Sequence, residues 1–328
     1  MPGRPRVLLL ADDGGAMAAH AAPGHPERPE RIAAIIAGVE DGAASGGADL
    51  VREAPAAAPE PDLLRVHPEW HLRRLDDAAA AGGGWIDPDT YLAVASMDAA
   101  RLAAGATIRA ALAASGGEAT VAFAAVRPPG HHAAAERSAG FCLVNNVALA
   151  AARLRADGLA ERPAILDWDV HHGDGTQEIF EADPAVFYAS THQAPFYPGS
   201  GHEAERGLGP AAGTVRNVPL PPGSGDDAFV EAWLGTLLPE VEAFAPDAIL
   251  LSAGFDAHRD DPLAHLLVTE AGYRSVAEAI GALARRCGIA GVAATLEGGY
   301  DLEALRGSAA ATVAGLLAGL AGGARDAA

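Results

Sequence analysis

A chain of 328 residues, half of them apolar, can bury one large core. Its formal charge of −20, with every one of its 23 basic residues an arginine, excludes nucleic-acid binding by phosphate neutralisation and favours encounter with cationic molecules. Two cysteines, Cys142 and Cys287, exclude a disulfide framework and fit a reducing, cytoplasmic setting.

A strand is expected at 6–11, where Asp12 and Asp13 follow too soon for a secretory leader. Helical patterning at 31–39 gives way to Ala/Gly/Pro-rich stretches at 42–61 and 82–84, which read as surface loops. A helix at 98–114 leads to a strand at 120–126, a helix at 146–157 and strands at 164–168 and 186–190. Then come a helix at 227–244, a strand at 248–252, a helix at 270–287, a strand at 291–296 and a helix at 302–320. No run approaches membrane-spanning length, so no membrane association is expected. The alternation predicts a mainly parallel central sheet with helices on both faces, in one domain over 1–320 with a flexible tail at 321–328. The lysine-free, alanine-rich composition fits a GC-rich bacterial genome.

Open parallel sheets bind ligands beyond the carboxyl ends of their strands. The unusual residues fall there: His131-His132, the Asp167–Asp174 segment, Ser190-Thr191-His192, Gly254-Phe255-Asp256 and Glu297-Gly298-Gly299-Tyr300. Asp167, Asp169 and His171 alternate, so on extended backbone they project to one side. Asp169 and His171 can share a divalent metal, with Asp256 the best third ligand and a position left open for water and substrate. The competing reading is an Asp/His turn closed by its own hydrogen bonds. Beside a metal, one imidazole of His131-His132 can take a proton from water and pass it to a leaving group. Gly298 and Gly299 let the backbone bring the Tyr300 phenol close to a developing oxyanion.

Arg-Pro-Pro-Gly-His-His-Ala at 127–133, Gly-Phe-Cys at 140–142, DWDVHHGDGTQEIF from Asp167, Ser-Ala-Gly-Phe-Asp-Ala at 252–257 and Leu-Glu-Gly-Gly-Tyr at 296–300 resemble the zinc-dependent histone deacetylase family. With His25-Pro26-Glu27-Arg28-Pro29-Glu30-Arg31, the likeness spans nearly the whole chain and is nearest to class II and bacterial deacetylase-like amidohydrolases. It implies the single-domain arginase–deacetylase α/β fold and hydrolysis of an N-acyl amide. By this resemblance Asp169, His171 and Asp256 match the zinc ligands. His132, paired with Asp174, matches the general base and acid, and His131, backed by Asp167, its electrostatic partner. Tyr300 matches the carbonyl-polarising tyrosine. Gly140, Phe141 and Tyr197 match the acyl-lysine tunnel, where the family commonly has phenylalanine in place of Tyr197, and Arg28 matches the acetate exit. One or two potassium ions are implied near Asp167, Asp169, His171, Ser190 and Thr191, with Phe180 by the second.

The implied partner is an acyl-lysine peptide or protein, or a small acylated amine, with homo-oligomers left open. Acetylpolyamine hydrolysis is the nearest rival. The polyamine-preferring eukaryotic branch has a glutamate gatekeeper after the Asp-Pro, where this chain has Leu263 after Asp261-Pro262. Arginase-like dimanganese chemistry needs a second aspartate two residues beyond Asp256, where this chain has His258. A non-catalytic acyl-lysine binding module would have lost a ligand or Tyr300, and neither is lost.

Overall fold

In a computed structural model, which describes residues 4–12 and 14–322, the apolar runs form an eight-stranded parallel sheet. In chain order the strands are β1 Arg6–Ala11, β2 Asp49–Glu53, β3 Gly84–Trp85, β4 Tyr91–Leu92, β5 Val121–Ala125, β6 Pro163–Asp167, β7 Phe187–Gln193, β8 Val215–Leu220, β9 Ala248–Ala253 and β10 Val292–Leu296. The main sheet runs β2-β1-β5-β10-β9-β6-β7-β8, and β3 and β4 form a separate antiparallel hairpin. Strands β5, β6, β7, β9 and β10 are buried along their whole length, as expected for a parallel sheet covered on both faces.

The helices are α1 Gly15–Ala19, α2 Glu30–Ser45, α3 Glu60–Leu63, α4 Glu69–Ala80, α5 Ser96–Ser115, α6 Asn146–Ala156, α7 Asp174–Phe180, α8 Asp226–Glu231, α9 Leu238–Phe244, α10 Glu270–Arg286 and α11 Leu302–Ala321. Helices α5, α6 and α7 pack together on one face of the sheet, and α2, α11 and α10 on the other. Small residues let the second layer close tightly. A Cβ added at Gly42 would stand 2.6 Å from the Ala310 carbonyl, and one at Gly315 2.6 Å from that of Arg274. Helix α11 is, against expectation, long and apolar enough to cross a membrane by length and composition, but it packs between α2 and α10 and most of it is buried.

The expected strands all form. The stretch 42–61 is not a loop throughout: α2 runs on to Ser45, and Asp49–Glu53 adds the edge strand β2 beside β1. The helix expected at 227–244 is interrupted between α8 and α9 by a π-helical segment, Ala232–Leu237. Of the expected tail, Ala321 closes α11 and residues 323–328 lie outside the described residues.

Strands β6 and β9 are neighbours, paired through Asp167 and Ser252. From β6 the chain goes on to β7 and β8 on one side, whereas β9 leads to β10 on the other. Such a reversal opens a crevice beyond the strand ends. The site lies in that crevice.

Candidate active site

Asp169 and His171 follow β6, and Asp256 follows β9. Their donor atoms all lie within 4.8 Å of one another. His171 Nδ1 is 3.2 Å from Asp169 Oδ1 and 3.2 Å from Asp256 Oδ2. Backbone amides steady the carboxylates: Val170 N donates to Asp256 Oδ1 (2.9 Å) and Gly298 N to Asp169 Oδ2 (2.7 Å). Burial opposes charge on His171, but Asp169 and Asp256 outweigh it and raise the imidazole to about 10.

Two observations show that these residues fit a divalent cation. Asp256 Oδ2 is buried and makes no hydrogen bond among the described residues; only the His171 ring faces it, at 3.2 Å, which leaves a carboxylate oxygen suited to a cation. The backbone is pressed against the cluster where only glycine fits, since a Cβ at Gly298 would stand 2.6 Å from Asp169 Oδ2. Two carboxylates and one imidazole are three protein ligands, the number that leaves a catalytic metal an open position.

Both histidines of the pair enter this crevice from the loop after β5. His132 Nδ1 donates to Asp174 Oδ1 (2.7 Å), which leaves Nε2 as the lone-pair nitrogen. Burial and the neighbouring His131 charge press His132 down to about 4. His131 Nδ1 donates to Asp167 Oδ2 (3.1 Å), an oxygen that also accepts from the Tyr188 hydroxyl (3.0 Å). Burial works against charge on His131 too, yet Asp169 and Asp167 raise it well above the ordinary range. The adjacent imidazoles are therefore shifted in opposite directions, His131 up and His132 down.

Tyr300 follows β10, and burial keeps its phenol protonated. Arg31 braces it from beneath. The guanidinium lies 4.9 Å from the ring centroid, donates from Nε to Gly299 O (2.6 Å) and from Nη2 to Glu297 O. Glu27 binds Arg31 at 3.0 Å and Arg127 at 2.6 Å, all three fully buried.

A pocket of about 230 Å³ joins these groups, with His131, His132, His171 and Tyr300 around it. Phe141 and Tyr197 wall it and Leu263 stands at its edge. Gly140 is needed beside His132, because a Cβ there would run into the imidazole and its φ of +54° is strained for other residues.

The histone deacetylase domain family matches residues 25–316. The chain belongs to this family. A "Probable deacetylase" of Archaeoglobus fulgidus is 43% identical over 300 residues, 92% of this chain and 82% of that protein. Among solved structures, the HDA15 HD domain is similar at TM-score 0.87 and 37% identity, over 97% of this chain and 90% of that one. An acetylpolyamine aminohydrolase from Burkholderia pseudomallei is similar at TM-score 0.83 and 31% identity, over 95% and 98%. These relatives and the shared α/β fold support deacetylase or amidohydrolase activity.

Arg28, Ser190, Thr191 and Phe180, also expected at a histone deacetylase site, do not line this pocket. Arg28 is exposed and lines an open depression with Pro26, Glu30, Pro262 and Tyr300, so the tyrosine borders both that depression and the pocket. The buried arginine at the tyrosine is Arg31, three residues on. Ser190 Oγ is 3.0 Å from His192 Nδ1, and Thr191 Oγ1 accepts from Trp233 Nε1 (3.0 Å), so both hydroxyls are engaged. Phe180 ends α7, at the far end of that helix from Asp174.

Sequence reasoning missed several contributors. Asp89 lines the pocket, and Thr90 Oγ1 accepts from Phe141 N (3.1 Å). Phe196 stacks on His171 with ring centroids 5.2 Å apart. Arg137 donates to Asp174 Oδ2 (3.0 Å). The Asp87-Pro88-Asp89-Thr90 turn was the one readable signal among these.

Proposed function

We propose that this protein is a zinc-dependent amidohydrolase that removes acetyl or longer acyl groups from lysine-like amines. The observation that carries the reading is that His171 of the Asp169–His171–Asp256 cluster, His132 of the His132–Asp174 pair and Tyr300 all line one pocket. Asp169, His171 and Asp256 would hold the zinc, which would supply Lewis-acid polarisation of the scissile carbonyl and acidify the attacking water.

The remaining steps belong to the chain. Phe141 and Tyr197 give a slot for an alkyl stem and help exclude water. His132 Nε2 receives the proton of the attacking water, while Asp174 fixes the tautomer that leaves this nitrogen free. His131, oriented by its Nδ1 bond to Asp167, stands beside His132 at the reacting centre. Tyr300 donates its phenolic hydrogen to the developing oxyanion. His132 then returns its proton to the departing nitrogen, so the products are a free amine and a carboxylate. Potassium, expected on carbonyls and side chains around Asp167, Asp169, His171 and Ser190, takes no part in these steps.

A second reading, acetylpolyamine hydrolysis, draws support from the likeness to the Burkholderia pseudomallei structure and from Asp89 beside the pocket. Leu263 favours the first, because it offers no charge to a distal ammonium. The test is kcat/KM of the zinc-loaded protein on acetyl-lysine peptides and on N8-acetylspermidine side by side. Preference for the peptide is expected. A strong preference for the polyamine replaces the first reading by the second.

A further inference from the structure

Asp261 carries a buried carboxylate that the chemistry above does not use. It lies five residues beyond Asp256, in the loop after β9, and is only 6% exposed. Its two oxygens are divided between two parts of the site. Oδ1 accepts the amide of Leu263 (3.0 Å), the residue at the pocket edge. Oδ2 accepts the amide of Tyr300 (2.7 Å) and, more weakly, that of Asp301 (3.4 Å). With both oxygens accepting backbone amides, the Asp261 side chain ties those two stretches of backbone together.

The need for an anchor is local. Gly299 has φ of +116°, a conformation open to glycine, so the peptide just before Tyr300 has little intrinsic preference for its position. Arg31 holds the carbonyl side of that peptide, and Asp261 holds the amide of Tyr300 itself. We infer that Asp261 is a positioning residue that sets the Tyr300 phenol for the oxyanion and ties it to the pocket edge at Leu263. The inference rests on the role proposed for Tyr300. The coupling is geometric: if Asp261 releases the amide, the phenol keeps its chemistry and loses its place.

Misplacement by about 1 Å can cost roughly 100-fold in rate, and loss of an oxyanion donor about 100- to 1,000-fold. A kcat cycle on an acetyl-lysine peptide with Asp261→Ala, Tyr300→Phe and the double variant separates the ideas. Zinc content and circular dichroism must match those of the unmodified protein. Asp261→Ala is expected to lower kcat about 10- to 100-fold alone and by no more than about twofold in the Tyr300→Phe background, where nothing is left to position. If Asp261→Ala does not fold, Asp261→Ser takes its place in the cycle, since its shorter side chain cannot span both amides. An equal loss in both backgrounds, or none in either, overturns the inference while Tyr300 keeps its role. Normal turnover by Tyr300→Phe alone removes that role, and the inference goes with it.

Discussion

Asp174 Oδ1 accepts a 2.7 Å hydrogen bond from His132 Nδ1, which decides the imidazole's tautomer and makes Nε2 the only nitrogen able to take a proton. Arg137 and His132 outweigh burial and hold Asp174 down at about 2, so it stays an acceptor at neutral pH. Asp174→Asn can present a donor in its place and permits the wrong tautomer. Turnover should fall about 100- to 10,000-fold with metal content unchanged. Steady-state kinetics with metal analysis checks this, and turnover within a few-fold of normal contradicts the role given to the pair.

Gly298→Ala tests the fit of the metal cradle without touching a ligand. The new Cβ would crowd Asp169 Oδ2 at 2.6 Å and the Asp256 carboxylate beside it. Zinc affinity should drop by tenfold or more, an order-of-magnitude expectation for a displaced ligand set, with the far-UV spectrum retained. Competition against a calibrated chelator reads it. Unchanged affinity means that the carboxylates shift freely and the cradle is not built for a cation.

His67 offers a pH prediction away from the metal. Its Nδ1 donates to Ala135 O (3.0 Å) and its Nε2 accepts from Asn145 N (2.9 Å), so both nitrogens serve the neutral ring. Burial lowers it from 6.5 to about 4. Between those values the unfolded chain binds more protons, so this stabilisation is complete above pH 6.5 and is lost as pH falls towards 4. The shift amounts to about 3 kcal/mol. Urea midpoints at several pH values should fall more steeply for the unmodified protein than for His67→Gln, and parallel curves would remove the argument.

How much of this was legible depended on where chemistry coincides with a strand end. β6, β9 and β10 are continuous apolar runs, and their ends carry Asp169, Asp256 and Tyr300, so the topology put readable residues in one place. The edge strands gave no such signal. β2 reads Asp-Leu-Val-Arg-Glu and is half exposed, and β8 carries Pro219, tolerated only because an edge strand has a free side. Helix α4 buries Leu72, Leu75 and Ala79 at helical spacing, a pattern that could have been found. Asp261 could not have been, because a carboxylate that serves backbone amides has no partner pattern in the sequence. Arg28 and Arg31 differ by three positions in one motif, and only packing shows which is buried.

Leu263→Glu places a carboxylate at the pocket edge, where a distal ammonium would arrive. The ratio of kcat/KM for N8-acetylspermidine over acetyl-lysine peptide should rise about tenfold or more, the worth of roughly 1.4 kcal/mol of charge pairing. The shift should weaken with added salt. An unchanged ratio places the substrate's second charge elsewhere on the surface.

The central claim is that one zinc ion, held by Asp169, His171 and Asp256, is required for amide hydrolysis. Its most direct test is a zinc titration of chelator-stripped protein, unmodified and Asp256→Ala, read as turnover of an acetyl-lysine peptide. The account predicts that the unmodified protein recovers activity in step with one zinc per chain, while Asp256→Ala remains folded and inactive. Full turnover by the stripped protein, or full recovery by Asp256→Ala, would contradict it.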